Sequence, residues 1–256
     1  MDSILTNTIN ALGLFSDTIK KSLIFHIPHS GTIIPFDAGF DQELIKSEHN
    51  LLTDHATDRI FNIKKATHLV FPHSRIFCDV ERLDDSIEPM AKVGRGYYYT
   101  KTDDGRHLRE NDQHLKQNVY ENFYLPHHEK LSKLSEQKIN EFGQAIIIDC
   151  HSFSDTPFKT DLDQSEDRPD ICIGTDEFHT PTWLVEFIRS GVENEGLSVK
   201  INSPYSGTIV PQKFYLRDDR LISVMVEINR RLYMKGGEVD NMRVRWLNEI
   251  FEDLFS

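Results

Sequence analysis

The sequence predicts an α/β fold: a three-layer sandwich with a central mixed, largely parallel sheet flanked by helices. Three observations carry this. Short apolar runs rich in Ile and Val recur between turn residues, segments of helical spacing lie between them, and no repeat or shift of composition divides the 256 residues. Strands alternating with helices form βαβ units, whose sheets are covered on both faces.

The runs, in order, are residues 23–27 before Pro28, 69–71 before Pro72, 76–80, 145–150, 171–173, 199–201 and 224–228. Each is too short for a buried helix and is read as a strand buried on both faces. Helical spacing covers residues 41–63, 112–142 with Pro126 interrupting, 181–195 and 237–255. Two long irregular stretches, 83–109 and 153–169, are expected to be loops or lids. Residues 203–221 are read as a loop-rich hairpin feeding the last strand.

Composition narrows the function. With 38% hydrophobic and 27% charged residues, the chain can build one sizeable core, and residues 1–256 are read as one domain. A formal net charge of -12 with no basic patch argues against nucleic-acid or membrane partners. The first 21 residues lack the basic-then-apolar pattern of a signal peptide, and no apolar run reaches the roughly 20 residues of a membrane span. Cys78, Cys150 and Cys172 have no metal-site spacing and fit buried thiols in a reducing compartment, so a cytoplasmic location is expected.

Reactive side chains of open α/β sheets collect beyond the carboxyl ends of the strands, where loops converge. His29 follows the first strand, His151 follows the run Ile146-Ile147-Ile148-Asp149-Cys150, and Glu227 lies inside the last strand. A carboxylate in a β-branched run is costly to bury without a partner or a nearby cation. Two imidazoles and one carboxylate would supply the three protein ligands of a catalytic zinc, with the fourth position left for water. Asp54 is the preferred carboxylate and Asp58 the reserve, since residues four apart share a helix face.

Six motifs then fall in one order. They are Pro28-His29-Ser30-Gly31, Asp54-His55-Ala56-Thr57-Asp58, Ser74 to Arg82, Asp149-Cys150-His151-Ser152, Asn202 to Gly207, and Val226 to Met234. Together, from about Leu23 to Met234, they resemble the N-formylglutamate amidohydrolase family. The resemblance implies a fold related to zinc carboxypeptidases, with one Zn2+ ion held by His29, Asp54 and His151 and with Glu227 as general base. It also makes Arg75 and Arg82 candidates for gripping substrate carboxylates, which suits the planar guanidinium. Asn202 and Tyr205 are loop residues that could hydrogen-bond a small acidic substrate, and Asp149 or Ser152 could orient a metal-bound histidine.

The motif departs from some family members, which read Asp-Leu-Asn-Arg where this chain has Asp79-Val80-Glu81-Arg82. Arg75 and Arg82 flank an expected strand and need not share a face, so pairing of one with Asp79 or Glu81 is the alternative. The implied activity is hydrolysis of N-formyl-L-glutamate or a related N-acyl amino acid. A carboxypeptidase-like enzyme is a weaker rival, because His29 lacks the His-x-x-Glu pair and has Thr32 at that spacing. A non-catalytic small-acid-binding module is the other.

Overall fold

The computed structural model describes residues 16–35, 38–83 and 88–256. Residues 1–15, on which the expectation of no leader partly rested, lie outside that set. Helix α1 (Asp17–Ser22), capped by the Ser16 hydroxyl, leads into β1 (Leu23–Ile27). Then come α2 (Leu44–Leu52), α3 (Thr57–Ile60), β2 (Thr67–Val70), α4 (Gln113–Val119), a π-helical turn (Tyr120–Tyr124) and α5 (Leu125–Phe142). The chain continues through β3 (Ala145–Phe153), β4 (Ile171–Gly174), α6 (Thr182–Asn194), β5 (Val199–Ile201) and β6 (Leu221–Asn229). It finishes with β7 (Met234–Lys235), β8 (Glu238–Val239) and α7 (Asn241–Phe255).

The main sheet has the order β2-β1-β3-β6-β4-β5. Strands β2, β1, β3 and β6 run parallel, β4 pairs antiparallel with β6, and β5 is parallel to β4. This is the mixed, largely parallel sheet expected. The central strands β1, β3 and β4 are buried at every position, whereas the edges β2 and β5 are half covered and leave Val70 and Ile201 exposed.

Strand periodicity sorts the two faces. Leu23, Phe25 and Ile27, Ile146, Ile148 and Cys150, and Val224, Val226 and Ile228 point to one side and pack with α3, α6 and α7. Each such fully buried aliphatic or aromatic side chain contributes about 1.5–3 kcal/mol, so this face holds the sheet together. The other face begins apolar, with Ile24, Ala145, Ile147 and Leu221 against Leu131 and Ile139 of α5. Further along the same strands it carries His26, Asp149, His151 and Glu227. The register pairs His26 with Asp149 and His151 with Glu227, and paired residues share a face.

Several expected elements change. Residues 76–80 are turns, not a strand; the amides of Phe77 and Cys78 both donate to the Ser74 carbonyl. Their apolar side chains are buried in a separate core with Phe40, Leu52, Tyr97, Tyr98, Tyr99 and Leu108, so the hydrophobic run served a loop core and not the sheet. At its centre Arg109 lies over the rings of Tyr98 and Phe40 and donates to the carbonyls of Tyr99 and Phe77. The expected helix 41–63 is two helices, because Ala56 takes a left-handed φ of 63° between them. Pro126 falls in the first turn of α5, where its missing N–H is tolerated. The last helix starts at Asn241, capped by Asp240, after a Gly236-Gly237 turn. Of the hairpin expected at 203–221, residues 203–220 form turns and loops without strand pairing, and Leu221 opens β6.

Candidate metal centre and active site

His29 lies just past the end of β1, and its loop is held by backbone. The Asp54 amide donates to the His29 carbonyl at 3.0 Å, and Gly31 sits so close to the backbone of Phe71, Pro72 and His73 that no Cβ fits there. Asp54 is placed by the break after α2. There the Thr53 hydroxyl closes the helix by donating to the His49 carbonyl, and Thr57 donates to the Asp54 carbonyl. Asp54 therefore turns inward and is fully buried, while Asp58, on α3, is exposed. The two aspartates do not share a helix face, as the spacing suggested, because no helix joins them.

Three atoms converge. His29 Nδ1 and His151 Nδ1 are 3.2 Å apart, and Asp54 Oδ2 is 3.2 Å from the second and 3.6 Å from the first. Each ring's other nitrogen faces a carboxylate: His29 Nε2 is 2.8 Å from Asp79 Oδ1, and His151 Nε2 is 3.1 Å from Asp149 Oδ1. Those carboxylates favour the proton on Nε2, which turns both Nδ1 lone pairs toward Asp54. Two lone pairs and a carboxylate aimed at one point repel unless a cation lies between them. The three atoms are close enough together to hold one small divalent cation. Burial opposes charge on His151, yet Asp149 and Asp54 raise its pKa well above the ordinary imidazole value, so the pocket attracts positive charge.

Around this group the chain supplies orienting contacts. Asp54 Oδ1 accepts from Arg230 at 2.9 Å, and the Ser152 amide donates to Oδ2. Burial alone would raise Asp54, but His151, His29 and Arg230 hold it well below the usual carboxylate range. Asp79, buried behind His29, accepts from Arg75 at 3.0 Å and from the Tyr99 hydroxyl at 2.6 Å, with Arg82 at 3.5 Å. Arg75 and Arg82 thus converge on one carboxylate, and the pair keeps net positive charge. The turn at 76–80 brings them together where a strand would have separated them.

Glu227 is paired in register with His151. Burial pushes its carboxyl up to about 8 against the pull of His151, and its Oε2 is buried without a hydrogen-bond partner among the described residues. Tyr205 donates to Asp161 at 2.8 Å, and its carbonyl lies 3.2 Å from Cys172, the residue that pairs with Glu227 on the antiparallel side. Asn202 is exposed, and its amide is committed to Thr175.

Sequence reasoning missed Arg230, Tyr99 and His26 and read Asp79 only as an ion-pair partner. His26 lies within a strand, where a histidine reads as core. Burial opposes its charge, yet a hydrogen bond to Asp149 and the negative charge of Glu81, 3.1 Å away, raise it to about 9. Its Nε2 is 2.8 Å from His127 Nε2, and burial and then the charge of His26 push His127 down to about 2.

The sequence profile of N-formylglutamate amidohydrolase matches residues 21–234. The chain belongs to the N-formylglutamate amidohydrolase family. Among solved structures it is similar to the N-formylglutamate amidohydrolase of Ralstonia eutropha JMP134, with a TM-score of 0.81 at 22% identity over 92% of this chain and 91% of that one. A gene product of Agrobacterium tumefaciens is similar with a TM-score of 0.62 at 19% identity, covering 92% and 90%. At these identities the likeness establishes the fold, while the profile establishes membership in an amidohydrolase family. No curated protein matches the chain significantly. Among the described residues no helix is long and apolar enough to cross a membrane.

Proposed function

We propose that the chain is a zinc-dependent amidohydrolase that cleaves N-formyl-L-glutamate, or a close N-acyl amino acid, into the acid and the free amino acid. The observation that carries this is the convergence of His29 Nδ1, His151 Nδ1 and Asp54 Oδ2 within a family of amidohydrolases. When bound, the ion would supply Lewis acidity toward water and the amide carbonyl.

The remaining work falls to side chains. Asp79 and Asp149 fix the tautomers and ring orientations of His29 and His151, as carboxylates beside metal-binding histidines do. Glu227, on the same sheet face, accepts the proton of the attacking water and returns it to the departing amine. Burial makes its carboxylate a stronger base than an ordinary one. Its unpartnered Oε2 is the atom available for that exchange. Arg75 and Arg82, sharing Asp79, offer positive charge and planar donors to the carboxylates of a small acidic substrate. Arg230 holds Asp54 from behind.

Formate release from N-formyl-L-glutamate, with a panel of N-formyl and N-acetyl amino acids, tests the reading. Zinc-loaded protein is expected to turn over at least one member and to lose activity on chelation. Glu227→Gln is expected to lower kcat by about 10²–10⁴-fold with bound zinc unchanged. No turnover of any member by zinc-loaded protein would overturn the proposal.

A further inference from the structure

We propose that His26, Glu81 and Asp149 form a second divalent-cation site, separated from the first by the ring of His151. The proposal goes beyond the amidohydrolase reading and does not depend on it. His26 Nδ1 lies 2.9 Å from Asp149 Oδ1 and 3.1 Å from Glu81 Oε1. The three donor atoms fall within 4.8 Å of one another, with His26 and Asp149 fully buried.

A proton on His26 accounts for only part of this arrangement. An imidazole N–H points along one line, and here it serves Asp149. Glu81 Oε1 is left buried without a hydrogen-bond partner among the described residues, 3.1 Å from that same nitrogen. Glu81 is held in place at its backbone, since its amide donates to Asp79 Oδ1 at 3.0 Å. A metal ion has no single axis and would satisfy both carboxylates and the ring nitrogen together.

The chemistry also selects the ion. Bonds of about 2.1 Å at right angles place neighbouring donors roughly 3.0 Å apart, and the two His26 separations match this better than they match tetrahedral zinc. Two carboxylates and one imidazole favour an octahedral ion that accepts mixed nitrogen and oxygen ligands, such as Mn2+. The other ring nitrogen of His26 is already engaged by His127 Nε2, so a proton on His26 Nε2 leaves the Nδ1 lone pair free to bind. His151 reaches both sites: its Nδ1 faces Asp54 and its Nε2 is 3.1 Å from Asp149 Oδ1 and 4.0 Å from Glu81 Oε1.

The test is Mn2+ titration of the chelator-stripped full chain, read by equilibrium dialysis and manganese paramagnetic resonance. Wild type is expected to bind two ions per chain. Asp54→Asn should keep the second site and Glu81→Gln the first, so each binds one, and the ion retained in each variant reports that it folded. The double variant should bind none tightly. Ion binding that Glu81→Gln leaves unchanged in number and affinity would overturn the proposal and leave His26 as an imidazolium, whereas a single wild-type ion that is lost in Glu81→Gln and kept in Asp54→Asn would uphold it. Because no substrate is used, the result stands apart from the formate assay.

Discussion

At the residue scale the site is organised by carboxylates that do not themselves face the point of convergence. Asp79 is the clearest case. It is fully buried, and burial alone would raise its pKa, but Arg75 and His29 hold it well below the usual range. One oxygen accepts from His29, so Asp79 decides which nitrogen of that ring carries the proton. Asp79→Asn keeps the size but removes the charge that stabilises this tautomer. We expect zinc affinity to fall about 10–100-fold, measured by competition with a chromogenic chelator, with the fold intact by circular dichroism. Unchanged affinity would mean that Asp79 serves only Arg75, Arg82 and Tyr99. The sequence displayed this aspartate inside a motif, yet its role became readable only when the loop after β1 set His29 against it.

At the element scale the loop core built by residues 74–109 decides where the arginines stand. Arg109 is 1% exposed and faces backbone carbonyls of Ala38, Ile76, Phe77 and Tyr99. Burial lowers its pKa to about 10, so the guanidinium stays charged at neutral pH with no carboxylate partner among the described residues. Its planar fork reaches several carbonyls at once, which an ammonium cannot do. Arg109→Lys keeps the buried charge but abandons acceptors and ring stacking. We expect a loss of about 2–4 kcal/mol, seen as a lower urea midpoint. A change within about 0.5 kcal/mol, the range of ordinary surface substitutions, would show that the carbonyls find other donors. The run at 76–80 looked like a strand because a loop core and a sheet core demand the same apolar residues.

At the scale of the whole molecule, the buried pair His26 and His127 couples folding to pH. In the folded chain His26 is raised to about 9 and His127 lowered to about 2, both from an ordinary 6.5. Below 6.5 the unfolded pair binds two protons and the folded pair one, so this contribution to stability falls as pH falls. Between 6.5 and about 9 the unfolded pair binds none and the folded pair still holds one, so it also falls as pH rises. Each limb has a slope of about 1.4 kcal/mol per pH unit, and the contribution peaks near 6.5. Urea unfolding of chelated protein across this range should show His127→Gln flattening the acid limb relative to wild type and sparing the alkaline one. Equal slopes for both proteins on the acid side would contradict the assignment.

The α/β class, the central strands, and the position of His29, His151 and Glu227 at the carboxyl ends of those strands were legible in the sequence. Period and chain order determine them: apolar runs of strand length bury on two faces, and a polar residue at a strand end stands out against them. The inward turn of Asp54 beside His29 and His151 while Asp58 faces solvent, the meeting of Arg75 with Arg82, and the placing of Arg230, Tyr99 and His26 around them were decided by tertiary structure. Each depends on a left-handed turn, a loop core or a strand register that brings distant segments within hydrogen-bond range. Local spacing carries no record of such distances, because they are set by what packs behind each side chain.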